Sequence, residues 1–506
     1  MSDELKTVTL YDSRTEQKRP LQPQQPGKIR MYVCGVTVYD LTHIGHARVF
    51  IFFDVVQRFL RQLGYDVEYI RNHTDVDDKI LNRAEQEDTD PLELSEHYIE
   101  QLDRDMGRLG VQAPTAEPKV SEHIDDIIEF NKTLLDAGYA YEADGDVYYR
   151  VEQFDGYGKL SGRNLEDMEA GRSGRVDDDD DSKKEHPFDF ALWKKSEDDE
   201  LGWESPWGYG RPGWHIECSV MSTAYLGDTL DIHGGGSDLI FPHHENEIAQ
   251  SEAASGKEPF ADFWMHVGMV NVAETTEEGE QIVRKMSKSL GNFWTTRDVL
   301  GGYHPDAIRY FMHTTLYRKP ITYAIENLEE ATRRIAYLYE TLHRIDEALT
   351  GSDIDDPGGD FIDDYTELAN HFRQRYEDAL ADDFNTPKAL ALIGELARAA
   401  NEAVQSTDQP TGEVANTLAT FRDDLGWAGS ILGMLQRDPA EALDELRELR
   451  LQAMELDPDQ IEEKIAARKQ ARDQQDWERA DALRDELDEM GVEIMDSADG
   501  TSWRLK

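Results

Sequence analysis

Apolar side chains first concentrate in KIRMYVCGV, residues 28–36, a run with the character of a buried strand. A polar loop, TVYDLTHIG, follows. HARVFIFFDVVQRFLRQLG then sets Val49, Phe53, Val56, Leu60 and Leu63 three and four positions apart, the spacing of an amphipathic helix, and Gly64 supplies its stop. YDVEYIR reads as a second strand. Strand, helix and strand in this compass form a βαβ unit, which predicts an α/β fold with a doubly wound parallel sheet.

Helical periodicity continues from about 75 to 138. AYEADGDVYYRVE then reads as two strands around an Asp-Gly turn. GRSGRVDDDDDSKKEHP (171–187) is a charge run with glycines, which predicts an exposed loop. Short strands, glycine turns and helices return between about 203 and 294. From about 322 nearly everything is helical, with breaks at 351–360 and 405–413, and no internal repeat is visible. The layout is an α/β half, split by an insertion, followed by an α-helical half.

The length, 506 residues, suffices for two or three domains. With two cysteines the chain has no disulfide framework. The N-terminus lacks the apolar core of a signal peptide, and no apolar run approaches the ~18 residues of a membrane helix, since Asp54 cuts the densest stretch, VFIFFDVV. A cytoplasmic protein without a membrane segment is expected. The 105 acidic and 53 basic side chains leave a formal charge of −52. With 39 % hydrophobic residues the chain is not disordered. Acid spread over every helix face suits concentrated salt, where the Debye length falls to about 3 Å at 1 M. The charge therefore reports on solvent more than on partner.

Four stretches carry chemistry. In LTHIGHARVF, His43 and His46 flank Gly45 where loop becomes helix, a place where free N–H groups and the helix dipole favour an anion. Gly45 leaves room for a bulky ligand, and two imidazoles can hydrogen-bond a phosphate. The same pair also reads as two surface histidines capping a helix. KMSKSLGN, from Lys285, follows a polar segment, VAETTEEGEQIVR, with no core pattern, so a mobile loop is expected. Lys285 and Lys288 there suit a triphosphate. In FPHHENE, a helix starting after Pro242 puts His243 and Glu247 on one face, their Cβ atoms about 5–6 Å apart. With Cys34 and Cys218 they make a soft, borderline donor set that suits Zn²⁺ over Mg²⁺. Each residue alone reads equally as core. DIHGGGSDLIFP permits a tight turn and close backbone approach, and GRPGWHIECS delivers Cys218 with Trp214.

HIGH and KMSKS in this order resemble the paired signatures of class I aminoacyl-tRNA synthetases. MYVCGVTVYDLTHIGH, NHTDVDDKI, GRPGWHIECS, DIHGGGSDLIFPHHENEIAQ and KMSKSLGNF are similar to the cysteinyl-tRNA synthetases in particular, and the likeness extends to DWERADALRDELDEMGVEI and GTSWRLK at the end. The resemblance implies ATP-dependent activation of L-cysteine to an adenylate, then transfer to the 3′ end of tRNA(Cys). It implies one zinc ion held by Cys34, Cys218, His243 and Glu247, and Mg²⁺ with ATP. His43 and His46, with Lys285 and Lys288, become the catalytic set. Thr37, His43, Gly45, His46 and Lys288 become the ATP contacts, and Tyr39, Thr74, Trp214, His233 and Asp238 the cysteine pocket. It further implies a Rossmann-type catalytic domain over 1–320, with an insertion at roughly 112–205 and the KMSKS and stem-contact region at roughly 272–320. A tRNA-binding helical bundle over 321–435 and a small anticodon-binding domain over 436–506 complete the chain, expected to be a monomer. The segment before KMSKS is longer and more acidic than the family pattern, and 171–187 is unusually acidic. Neither touches a motif.

Arg468, Lys469, Arg472 and Arg479 near Trp477, with Trp503 and Arg504, offer cations and stacking faces for RNA, although Trp477 is expected to fill the core of the terminal domain. Three other readings share part of this evidence. A ligase passing activated cysteine to an amino-sugar would share the zinc set, HIGH and KMSKS, but the helical half and the terminal WERADALRDEL region look suited to tRNA. A non-catalytic RNA-binding paralogue is expected to have degraded signatures. A zinc-stabilised scaffold leaves HIGH and KMSKS without a purpose. The charge reading makes a direct prediction: the melting temperature rises as KCl is raised towards molar concentration, and a fall would refute it.

Overall fold

The computed structural model describes residues 5–163, 181–275, 281–286, 293–350, 352, 363–406, 410, 412–496 and 501–505. A short hairpin, β1 (Thr9–Asp12) and β2 (Gln17–Pro20), precedes the first core strand, β3 (Lys28–Thr37). Then come α1 (Ile44–Gln62), β4 (Asp66–Thr74), α2 (Asp78–Glu87), α3 (Pro91–Arg108) and α4 (Ile124–Asp136). The insertion sheet is antiparallel, with strands β5 (Ala140–Ala143), β6 (Asp146–Tyr149), β7 (Phe190–Lys195) and β8 (Gly210–Pro212) in that order. Asp144 and Gly145, at φ 53° and 90°, turn β5 into β6 as the Asp-Gly pair predicts.

The chain then returns to the core through α5 (Ile216–Leu226), β9 (Leu230–Gly236), α6 (Glu245–Ser255) and β10 (Ala261–Val267). The central sheet runs β10-β9-β3-β4, all parallel. From β3 the chain goes outward to β4 and later returns to build β9 and β10 on the other side. This is the doubly wound sheet that the apolar pattern predicts, and its switch point lies between β3 and β9. Helix α1 packs on it through Phe53, Val56 and Leu60, all fully buried. The close fit explains a glycine: a Cβ on Gly234 would lie 2.1 Å from the Phe53 ring. The triple glycine therefore ends a strand under a helix, where the sequence suggested a tight turn.

The segment read as a featureless polar loop contains two paired strands, β11 (Val270–Thr275) and β12 (Gln281–Lys285). Val270 and Val272 are buried, and this pair carries the hairpin. After α7 (Thr296–Gly302) and α8 (Pro305–His313), β13 (Ile321–Tyr323) joins β11 in parallel. The helical half follows as α9 (Ile325–Leu349), α10 (Asp363–Ala381), α11 (Thr386–Gln405) and α12 (Gly412–Leu432). A terminal unit comprises α13 (Pro439–Ala453), α14 (Pro458–Asp473), α15 (Trp477–Glu489), β14 (Val492–Asp496) and β15 (Thr501–Leu505). Its core gathers Leu451, Ile461, Ile465, Leu487 and Trp503. The expectation for Trp477 is overturned: it is 60 % exposed. The buried stripe of α15 is Ala480, Leu483 and Leu487, and Trp477 stands a turn ahead of it at the open end of the helix. Most of the 171–187 run lies outside the described residues. No helix among the described residues is long and apolar enough to cross a membrane.

Asp54, the charge inside the apolar run, joins the two halves. It is fully buried on α1 and accepts from Arg309 Nη2 at 2.5 Å, Arg58 Nε at 2.9 Å and the Gln112 N–H at 3.0 Å. Arg309, also fully buried, donates to the Leu432 and Leu109 carbonyls at 2.8 and 3.1 Å. Arg58 reaches the Ser430 carbonyl at 3.1 Å. The end of α12 is thereby docked on α1. Removing one partner of such a pair leaves a buried charge uncompensated, so Arg309→Met is expected to destabilise the protein by about 3–5 kcal/mol in denaturant unfolding.

Candidate functional site

The site forms where β3 and β9 part, at the carboxyl ends of the strands. Cys34 lies in β3 at a register shift, three residues before the strand ends. Cys218 sits in the first turn of α5, brought in by the sharp exit from β8. A wide turn over Ile240–His244 leads into α6 and aims His243 and Glu247 at the two sulfurs. The Cys34 Sγ lies 3.4 Å from Cys218 Sγ and 3.4 Å from Glu247 Oε1. His243 Nε2 is 3.1 Å from the same Oε1. All four ligand atoms fall within 4.8 Å of one another, and all four residues are buried. A tetrahedral zinc with bonds of about 2.3 Å to sulfur and 2.0–2.1 Å to nitrogen or oxygen holds its ligands roughly 3.3–3.8 Å apart. The cluster fits that ion.

Its electrostatics point the same way. Burial pushes the Cys34 thiol well above its ordinary range, with Cys218 and Glu247 adding to the shift. Burial acts likewise on Cys218, but the hydrogen bond from Cys34 and the neighbouring His243 outweigh it and hold that thiol at about 6. Burial would lower His243, yet Glu247 and Cys218 raise it to about 10. Burial would raise Glu247, yet His233 and His243 outweigh it and hold the carboxyl well below its ordinary range, and a divalent ion suits such a donor set.

A second layer orients the ligands. His233 Nε2 holds Glu247 Oε2 at 2.7 Å, leaving Oε1 towards the sulfurs, and its ring stacks on Trp264 with centroids 4.5 Å apart. His215 and His243 share a proton between their Nδ1 atoms at 3.0 Å, which turns His243 Nε2 inward. Trp214 stacks on His243 at 4.4 Å. His244, unremarked in the sequence, lies 3.3 Å from Cys34 Sγ through Nε2 and 2.8 Å from His266 through Nδ1. Burial drives His266 down to about 3 and His244 well below its usual range, so both are neutral. Their proximity to the ligands follows from the i+3 relation of His244 to Glu247, a spacing the sequence did contain.

Two spaces adjoin the cluster. A recess of about 40 Å³ is bordered by Cys34, Asn72, Thr74, Trp214, Cys218 and His243. That is about the room of one small group. Asn72, the first residue of NHTDVDDKI, was not singled out there; its Oδ1 accepts the Gly35 N–H at 2.9 Å. Thr74 Oγ1 donates to buried Glu217 at 2.7 Å. The recess adjoins a cavity of about 370 Å³, and Cys34, Thr37 and Trp214 border both. The cavity also meets Tyr39, His43, Gly45, His46 and Asp238. His233 borders neither space; it stands behind Glu247.

At the start of α1, His43 is the N-cap, its Nδ1 accepting from the Gly45 and His46 N–H groups at 3.0 and 3.3 Å. The two imidazoles stack with centroids 3.6 Å apart. A Cβ on Gly45 would lie 2.8 Å from the His43 ring, so the cap itself demands glycine there. The backbone around His43 bonds to the segment that leads into α7: Ile44 N–H to the Trp294 carbonyl at 3.2 Å, and Thr296 N–H to the Thr42 carbonyl at 2.8 Å. Met286 borders the cavity from the same side. Lys285 ends β12, and Lys288 lies outside the described residues.

Comparison with known proteins agrees. Residues 20–333 match the family of class I (C) tRNA synthetase catalytic domains, 375–436 the DALR domain, and 458–504 the cysteinyl-tRNA ligase anticodon-binding domain. The chain is 46 % identical over 509 residues to the cysteine–tRNA ligase of Pelobacter propionicus, covering 99 % of this chain and 100 % of that one. It is 45 % identical to the chloroplastic/mitochondrial cysteine–tRNA ligase of Arabidopsis thaliana, covering 99 % and 86 %. Among solved structures, Mycobacterium tuberculosis methionyl-tRNA synthetase shares the fold at a TM-score of 0.58 and 16 % identity, covering 86 % of this chain and 95 % of that one. With its matched catalytic and anticodon-binding domains and a donor cluster suited to zinc, the chain belongs to the cysteine–tRNA ligase family, class I aminoacyl-tRNA synthetases.

Proposed function

We propose that Cys34, Cys218, His243 and Glu247 hold one zinc ion and that the substrate thiol enters the recess beside them. The supporting observation is the recess itself: a space of about 40 Å³ that meets Cys34, Cys218 and His243 on one side and Thr74 and Trp214 on the other. Bound there, zinc supplies a soft coordination position that favours a thiolate over a hydroxyl. Trp214 and Thr74 limit the side chain by size. Asp238 and Tyr39, on the neighbouring cavity wall, receive the amino-acid backbone, and His233 acts on it indirectly by fixing Glu247.

In this reading the ATP phosphates lie at the N-terminus of α1, with Thr37, Gly45, His43, His46 and the lysines Lys285 and Lys288, and Mg²⁺ accompanies the nucleotide. The cysteine carboxylate attacks the α-phosphorus and releases pyrophosphate. The chain's work is to place the two reactants and to stabilise developing charge. The 2′-hydroxyl of the terminal tRNA adenosine then attacks the adenylate carbonyl. The catalytic domain is assigned to 1–320, the tRNA-binding bundle to 321–435 and the anticodon-binding domain to 436–506. We place the enzyme in the cytoplasm of a cell with concentrated internal salt, acting as a monomer. In the terminal unit Arg468 and Arg472 are engaged by Asp496 at 2.9 and 2.7 Å, which leaves exposed Trp477 as the more available stacking face for an anticodon base.

The deciding experiment is aminoacylation of tRNA(Cys) with labelled cysteine and, in parallel, serine. A size-selective apolar pocket separates such isosteres by roughly 10²-fold. Selection by a metal–sulfur bond is expected to exceed that by a wide margin without hydrolysis of seryl-tRNA, and appreciable serine charging sinks it. His233→Ala is expected to weaken zinc retention about 10–100-fold in a chelator competition, because Glu247 loses the partner that orients it.

A further inference from the structure

Lys79 is the one lysine or arginine among the described residues that border the larger cavity. It is the second residue of α2, five positions beyond Thr74, and it is exposed. In so acidic a chain an ammonium group is ordinarily claimed by a nearby carboxylate, and Lys79 has an aspartate on each of the two preceding positions. Neither closes an ion pair with its ammonium, although Asp77 attracts it through space. Asp77 caps α2, its Oδ1 accepting the Lys79 N–H at 2.8 Å. Asp78 is gripped from the insertion sheet, by Lys194 Nζ at 3.2 Å and Arg211 Nη2 at 2.8 Å. The Lys79 ammonium is left 5.9 Å from the centroid of the Tyr39 ring, on the cavity side.

The position separates this charge from the signature motifs. The strand β4 that precedes Lys79 is one edge of the central sheet, and β10, which leads to the second signature, is the other. His43, His46, Met286 and Phe293 gather at the start of α1, whereas Lys79 stands by the insertion. We propose that Lys79 is a phosphate-binding residue of the cavity mouth, and that the phosphate it takes belongs to the 3′-terminal nucleotide of the incoming tRNA. A compact ammonium on an exposed stem suits a phosphodiester approaching from solvent, and Tyr39 beside it offers a face for the unpaired end. The other source of the same chemistry is the ATP triphosphate. The inference rests on the cysteine–tRNA ligase assignment, which wild-type charging tests separately.

The full-length protein would be assayed in two arms, cysteine-dependent pyrophosphate exchange and single-turnover transfer from preformed enzyme-bound adenylate to a tRNA(Cys) transcript. With Lys79→Met the loss is expected in transfer, on the order of tenfold, as for one charge-assisted contact, with Lys79→Arg restoring most of it. The slope of log binding constant for tRNA against log KCl is expected to shrink by about 0.7, one phosphate's share on a single strand. A loss in exchange equal to or greater than that in transfer overturns the proposal and moves the phosphate to ATP. No change in either arm, or a Lys79→Arg variant no better than Lys79→Met, also overturns it.

Discussion

Two thiols and a carboxylate gathered in one dry site make a donor set that suits a divalent cation. Cys34, Cys218 and Glu247 meet within 4.8 Å with His243 beside them, and the catalytic half is arranged around that fact. Each ligand comes from a different element, and each element has a reason to end where it does. β3 shifts register at Cys34; α5 begins just before Cys218; the turn before α6 swings His243 and Glu247 inward. His233, His215 and Trp264 stand behind that set. They restrict which atom of Glu247 and of His243 faces the cluster. Held in that way, Glu247 keeps one oxygen on His233 and presents the other to Cys34.

The second constraint is mechanical. The helix that begins with His43 and His46 carries Asp54 two turns later, and Asp54 is clasped by Arg309 and Arg58. Both arginines reach carbonyls at the end of α12. The capping histidines and the seat of the helical half therefore lie on one rigid rod. At its other end, the backbone on either side of His43 is bonded to residues 294 and 296, just beyond the second signature. Backbone hydrogen bonds thus tie the first signature to a segment far along the chain.

Much of the fold was legible in the residues. The period-three and period-four stripe of α1, the strand in YDVEYIR and the Asp-Gly turn of the insertion all hold, because each is a local demand of backbone geometry and burial. The hairpin of β11 and β12 was not legible. The burial of Val270 and Val272 comes from packing that local pattern cannot display. Trp477 and Trp503 show the same limit. Two similar tryptophans in one small unit part company, one on the surface and one in the core, since only the second has a helix opposite it and Glu462 to accept its N–H, at 2.6 Å.

By itself the sequence determined which side chains were chemically capable: the two thiols, the His-Glu pair one helical turn apart, the capping histidines and the lysines of the second signature. Those depend on residue type and short spacing. The tertiary structure alone decided what surrounds them. It placed Asn72 and Thr74 of β4 against Cys218, set His233 behind Glu247, and made Gly45 answer to the His43 ring and Gly234 to Phe53. It also left Lys79 facing the cavity by drawing Asp78 away to Lys194 and Arg211. Such relations join residues far apart in the chain, and contacts at that separation follow from the topology of the sheet, which no local pattern of the residues involved can express.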